Sequence, residues 1–238
     1  TNEGDRIALA GRTPNLAKIP IGSNIEGKQY SAEECRQRRA RYVDDDDALV
    51  VGYFGFLNRS KGGLTLVQTL DRLVQAGQNA HLLMIGEGVG VNDPTNSAYL
   101  TEVRALIQQR NLDDRVHWTG RETDEEVSRD LCSCDVLLMP YVDGASLRRG
   151  TLMAGLAHGC ALVTTTPQEP LPELVDGRDL LYVPAENEGA AAEAVLRIAT
   201  DQSLAERLRR QAWAASAQFG WPGIARSHLC WYQQKKSN

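Results

Sequence analysis

"ALVVGYFGFLNRSKGGLTLVQTLDRLVQAGQ", residues 48–78, is the stretch that decides the fold. It opens on a short, continuous apolar run, ALVVGYFGFL, that ends among glycines. Such a run reads as a buried strand. A polar loop follows, and then GLTLVQTLDRLVQAGQ, with Leu66, Val67, Leu70, Leu73 and Val74 at helical spacing and Gly77 at its end. A strand that is apolar throughout, rather than alternating, is covered on both faces. A strand followed at once by a helix of this length is half of a βαβ unit.

The same alternation continues downstream. AHLLMIG, RVHWTG, DVLLMPY, ALVTTT and DLLYVP read as five further strands. SAYLTEVRALIQQRN, TDEEVSRDLCSC and LRRGTLMAGLAHG read as the helices between them. EGAAAEAVLRIAT, SLAERLRRQAWAASAQ and WPGIARSHLCWYQQ are helices that close the chain. Thr123 with Glu126 predicts a capping box on the third helix, and Ser146 is the predicted cap of the fourth. Strands and helices in this order predict an α/β fold, a doubly wound, mostly parallel Rossmann-like sheet with right-handed crossovers. Upstream of residue 48 the chain is irregular and rich in Gly and Pro. SAEECRQRRARYV is a short helix with its own capping box, Ser31 with Glu34. The four carboxylates of Asp44–Asp47 read as a solvated turn, because no spaced ligands follow them.

Composition narrows the function. The chain has 238 residues, 42% apolar and 24% charged, as globular domains do, so its core needs no disulfide or metal staple. A net charge of −5 argues against a nucleic-acid partner. No apolar run approaches the ~18–20 residues of a membrane span, and the first residues show no signal peptide. The five cysteines, Cys35, Cys132, Cys134, Cys160 and Cys230, read as buried free thiols in a reducing, cytoplasmic setting. Cys132 and Cys134 lack a second His/Cys pair, so no zinc site is expected. His81, His117, His158 and His228 do not cluster in the sequence and read as packed or capping side chains.

Ligands of such sheets bind beyond the carboxyl ends of the strands. GFLNRSKGG, after the first strand, sets Arg59 and Lys61 before a helix N-terminus, where free N–H groups and the dipole attract anions. A solvated basic loop explains the same residues. The spacing is not that of a Walker A loop. GEGVG, residues 86–90, lacks the third glycine of a dinucleotide fingerprint and reads as a turn. DGASLRRGTL, residues 143–152, places Arg148 and Arg149 in the predicted first turn of the fourth helix. Cations there oppose the dipole unless an anion offsets them. Snorkelling to solvent, or pairing with Asp143, is the simpler account; a phosphate held between this turn and Lys61 is the other, and arginine suits bidentate capture of its oxygens. There is no GxSxG elbow, no base beside a cysteine, and no acidic pair at the end of the first strand.

An ordered set of segments carries a resemblance. IPIGSNIE, VGYFGFLNRSKGGLTLVQTL, LLMIGEG, RVHWTGRETDEEV, CDVLLMPYVDG, LAHGCALVTT, PELVDGRDLLYVP and FGWPGIARSHLCWY follow one another as in the C-terminal, donor-binding half of GT-B glycosyltransferases. The chain resembles the family-four, group 1 retaining enzymes over nearly its whole length. That resemblance implies a nucleoside-diphosphate sugar as donor and transfer of the sugar to an acceptor held by an N-terminal domain that this chain lacks. It implies no cofactor and no metal, since basic side chains and helix N-termini stabilise the leaving diphosphate. Any peripheral membrane association would run through the missing domain.

The resemblance divides the chain into residues 1–43, the end of the N-terminal domain and linker; 44–220, the nucleotide-sugar domain; and 221–238, a crossover helix. It assigns Arg59, Lys61, Arg148 and Arg149 to the diphosphate. Gly120, Arg121, Asp143, Ser146, Thr151 and Glu169 are assigned to the base, ribose or sugar, and no catalytic residue is identified. Glu173 matches a "PE" pair of the family. The sequence departs from the family at three places: its arginine falls at Phe56, and its two glutamates fall at Ser146 and Ala154. A nucleotide-sugar epimerase half and a non-catalytic binding module are the alternative expectations.

Overall fold

The computed structural model describes residues 7–9, 16–88 and 94–236. Six parallel strands, β1 (Leu49–Phe54), β2 (Ala80–Ile85), β3 (Val116–Trp118), β4 (Val136–Met139), β5 (Leu162–Thr165) and β6 (Leu181–Val183), form one sheet in the order β3-β2-β1-β4-β5-β6. The helices are α1 (Ala32–Arg39), α2 (Gly63–Gln75), α3 (Pro94–Gln109), α4 (Asp124–Ser133), α5 (Gly150–Ala157), α6 (Glu188–Thr200), α7 (Gln202–Ser216) and α8 (Trp221–Lys236). The strand order reverses between β1 and β4. That is the switch point at which doubly wound sheets open a ligand crevice.

The strands are apolar because both faces are covered. On the covering layers α2 packs against α3 and α6, α1 against α4, and α5 against α7. Leu82, Leu83, Leu137, Leu138 and Leu162 are at most 1% exposed, so neither sheet face meets water. Both predicted capping boxes form: Ser31 with Glu34 on α1, Thr123 with Glu126 on α4. Gly62 decides how α2 meets the sheet. Its φ is 70°, and a Cβ there would lie 1.9 Å from the Pro140 carbonyl oxygen. Only glycine lets the amino end of α2 reach the end of β4.

Three expectations need correction. The fourth helix, α5, starts at Gly150, and Ser146 does not cap it. Residues 146–149 instead make a turn closed by Arg149 N–H to the Ser146 carbonyl (3.2 Å). Leu147 is buried there, and Arg149 pairs with Asp143, which holds the backbone out of the helix. Arg148 and Arg149 therefore precede the first turn and do not lie in it. Secondly, His81 and His117 do meet, Nδ1 to Nε2 at 3.0 Å. The register sets Leu83 against His117, so His81 is its diagonal neighbour on the same face. Thirdly, among the cysteines Cys160 is buried, Cys230 is exposed, and the other three lie between. The four-Asp run is an exposed turn in which Asp45 accepts from Asn79 (2.7 Å). Of GEGVG, Val89 and Gly90 lie outside the described residues, as do 1–6 and 10–15 of the amino-terminal stretch. No helix among the described residues is long and apolar enough to cross a membrane.

Candidate functional site

A cavity of about 570 Å³ opens over the carboxyl ends of β1 and β2 and the amino end of α5. Phe54, Gly55, Phe56, Asn58 and Lys61 line it from the β1 loop, and Gly86 and Glu87 from the β2 loop. Asp124 contributes from the start of α4, Gly150, Thr151 and Ala154 from α5, and Asn24 and Ile25 from the segment before α1. Gly55 has φ 119°, and a Cβ on it would sit 2.8 Å from Thr151 Cγ2, so its lack of a side chain keeps β1 and α5 close at the floor.

Tyr141, just past β4, organises the charge at one end of this cavity. Its ring is fully buried, and its hydroxyl pairs with Thr151 Oγ1 at 2.9 Å. The Lys61 ammonium lies 5.0 Å from the ring centroid and the Arg149 guanidinium 4.6 Å, a double cation–π arrangement. Arg149 also forms an ion pair with Asp143. Burial, and then the neighbouring Arg149, push the Lys61 ammonium down to about 8, with Asp143 opposing. Burial raises the Tyr141 phenol to about 12, so it stays neutral. Two cations thus face one carboxylate, and an anion entering here would meet uncompensated positive charge.

The structure brings some of the residues named from the sequence together and leaves others apart. Lys61, Asp143, Arg149 and Thr151 come together around Tyr141. Arg59 does not join them; it is 71% exposed, paired with Glu102 at 2.8 Å and laid over Tyr99. Ser146, Arg148 and Glu169 line a separate, smaller cavity of about 100 Å³, with Lys18, Asp143 and Gln168. Gly120 and Arg121 follow β3 at the rim, and from that corner it is Asp124 that reaches the main cavity. Glu173 is tied to Lys18 at 2.7 Å. His158 is buried at the end of α5 and bonds Ser128 (2.7 Å), a packed and capping role as expected; His228 is exposed in mid-helix on α8, bonded to the Ile224 carbonyl (2.9 Å).

Sequence reasoning missed Tyr141, Glu87 and Asp124. Nothing in MPYVDG distinguishes an organising aromatic from the last residue of a strand. It also missed a buried cluster behind the rim. Arg38 of α1 donates to Asp130 of α4 (2.9 Å) and to Glu122 of the β3 loop. Asp130 is 0% exposed. Burial, and the carboxylate of Asp130 beside it, push Glu122 up to about 7, so this cluster holds a proton near neutrality. The signal lay in Arg38, the one buried residue of α1, which the sequence shows only as one of three arginines in that helix.

Comparison with known proteins places these features in a family. Residues 48–201 match the model of "Glycosyl transferases group 1". A 2-deoxystreptamine glucosyltransferase of Streptomyces kanamyceticus is 27% identical over 125 residues, 52% of this chain and 30% of that protein. Sucrose-phosphate synthase of Thermosynechococcus elongatus superposes with a TM-score of 0.78 at 23% identity, over 100% of this chain and 57% of that one. Anabaena Alr3699/HepE, in complex with UDP and glucose, superposes with a TM-score of 0.79 at 18% identity, over 94% and 58%. This chain thus spans under a third of the length of the glucosyltransferase and somewhat over half of the two structures. The family match covers more than half of the chain, and its span holds the sheet, the Tyr141 cations and all of the cavity lining but Asn24 and Ile25: the chain belongs to the group 1 glycosyltransferases.

Proposed function

We propose that this chain is the donor-binding half of a retaining glycosyltransferase, and that its cavity takes a nucleoside-diphosphate sugar. The observation that carries the reading is the convergence of Lys61 and Arg149 on Tyr141 at the β1/β4 switch point. The two cations would hold the diphosphate, aided by the N–H groups at the start of α2. On the far side, Glu87 and Asp124 line the cavity below β2 and β3, about 5–10 Å across the sheet from β1 at the usual strand spacing. Carboxylates accept from sugar hydroxyls, as an acidic residue does for ribose in dinucleotide folds. The cavity therefore has a cationic and an acidic end, and a nucleoside diphosphate has the matching polarity.

In the transfer, the bond between the sugar's anomeric carbon and the diphosphate oxygen breaks, and a bond to the acceptor oxygen forms. Negative charge grows on the leaving diphosphate. Cations fixed in place beforehand, in a partly dry site, stabilise that charge without reorganising. They supply here the charge that a divalent metal supplies elsewhere, so the reading needs no metal. Calorimetry of the full-length protein with UDP tests it. Lys61→Ala and Arg149→Ala should each weaken binding at least tenfold; unchanged affinity in both would overturn the reading. A binding module without turnover is the second reading. The observation that favours it is Ala154, which presents a methyl group to the cavity where the family carries a carboxylate. Binding of donor with no sugar transfer by the full-length protein would establish it.

A further inference from the structure

A second cavity, of about 520 Å³, adjoins the one described above. Asn24 and Ile25 line both. The helix α5 serves both as well: Gly150, Thr151 and Ala154 line the first cavity, Met153 and Ala157 the second. The segment 23–27 that separates them is fixed to the body of the domain. Trp221 Nε1–H donates to the Ser23 carbonyl at 2.6 Å. A Cβ on Gly27 would lie 2.1 Å from the Ala157 carbonyl oxygen, so only glycine permits that approach.

Two indoles line this second cavity. Trp213, on α7, is 38% exposed, and Trp221, which begins α8, is 49% exposed. Large apolar rings left open beside polar groups mark ligand-binding grooves. Asn24 and Glu26, both exposed, add an amide and a carboxylate, and Glu26 is the one charged residue of the lining.

That chemistry narrows the occupant. A nucleotide could stack its base on an indole, but its phosphates would meet the Glu26 carboxylate and no cation. An acyl chain or an apolar peptide would cover the indoles, yet it would strip water from Glu26 and Asn24 without replacing their hydrogen bonds, which is costly. A sugar ring satisfies both kinds of surface. Its C–H face packs on an aromatic ring, and its hydroxyls donate to a carboxylate and bond an amide in either sense. The volume lies within the range of about 300–1,000 Å³ usual for small-ligand pockets.

We propose that this cavity is a saccharide site, distinct from the proposed donor cavity, in which neutral sugar rings stack on Trp213 and Trp221 and bond Asn24 and Glu26. The bond from Trp221 to Ser23 holds one of the two rings in place beforehand, which lowers the ordering cost of binding. The proposal does not rest on the nucleotide reading. The first cavity has two cations at one end and suits an anion; the second has one carboxylate and suits an uncharged ligand.

Maltotriose, cellotriose, mannotriose and chitotriose are the probes. Each is titrated into the full-length protein, with tryptophan fluorescence and calorimetry as readouts. At least one should bind saturably and shift the emission. Trp213→Ala should weaken that binding at least tenfold, Trp213→Phe, which keeps a ring, should retain most of it, and Glu26→Gln should weaken it severalfold. UDP affinity of Trp213→Ala should hold within twofold, so failure here is distinguishable from failure of the donor reading. Absence of saturable binding by all the trisaccharides would overturn the inference. So would an unchanged affinity in folded Trp213→Ala, with thermal melts of each variant reporting the fold.

Discussion

The two charged clusters of this molecule are mirror images in their arithmetic. At the rim, Lys61 and Arg149 share one carboxylate, Asp143. Behind it, Asp130 and Glu122 share one guanidinium, Arg38. The first has a cation too many and the second an anion too many. Each imbalance is met by what its surroundings allow. The inner cluster is closed to ligands, so it takes a proton, and Glu122 is raised to about 7. The rim cluster borders a cavity; burial of Lys61, and then the neighbouring Arg149, lower its ammonium to about 8, so it gives a proton up more readily. In the proposed reading an anionic ligand restores the balance there. A buried charge imbalance is thus structural where no ligand can reach it and a candidate site where one can.

Arg38→Ala should have the largest effect, because it leaves two carboxylates buried without their partner. Such losses cost about 3–5 kcal/mol, a fall of roughly 10 °C in Tm for a chain of this size. UDP affinity of the still-folded protein should hold within twofold. If affinity fell as much as stability, the two clusters would not be separate.

The next largest concerns pH. Only charged Lys61 attracts an anion, so UDP affinity should fall as pH rises through about 8. Between pH 7 and 9 the loss approaches tenfold, about 1.4 kcal/mol. Lys61→Arg should flatten the profile over that range, and a wild-type affinity that did not change with pH would remove Lys61 from the anion site.

Glu122→Gln probes the inner cluster more gently. The carboxyl is raised in the folded state, so its stabilising contribution is complete below its unfolded value of 4.5 and is lost as pH rises through about 7. The wild-type Tm should therefore drop between pH 5.5 and 8. After discounting for solvent, we expect about 1 kcal/mol, or roughly 2–4 °C. The glutamine, which keeps the neutral shape, should remove that slope. An identical slope in both proteins would assign it to other groups.

Phe56→Arg is the smallest step. It restores a cation at an exposed position on the cavity mouth, 51% accessible in the present chain. Screened by water, it should add about 0.5–1 kcal/mol to UDP binding, two- to fivefold. A weaker affinity would mean that the aromatic ring itself contacts the ligand.

Much of the fold could be read from the chain because it rests on local rules. Apolar runs bounded by glycine gave β1 to β6, helical spacing gave α2, and Ser31 and Thr123 marked their helix starts. The site was less legible. Lys61 and Arg149 were named as cations near a helix, but their meeting over Tyr141 joins loops that lie far apart in the sequence. Arg59, two residues from Lys61, looked equivalent to it. Its guanidinium turns instead to Glu102 and Tyr99 on α3, a contact no spacing reveals. The misplaced start of α5 has a similar cause: a turn held by Arg149, Asp143 and buried Leu147 outweighed a capping serine.

By itself, then, the sequence determined the alternation of strands and helices, the parallel sheet, and the loops that form its ligand-binding edge. Those follow from hydrophobic periodicity and backbone chemistry, which act over a few residues. The tertiary structure decided which charges are left without a partner. Distant segments had to be brought together before Lys61 could lie beside Arg149, or Arg38 beside Asp130. Burial then set the strength of each interaction, because only a dry neighbourhood makes one missing counter-charge matter.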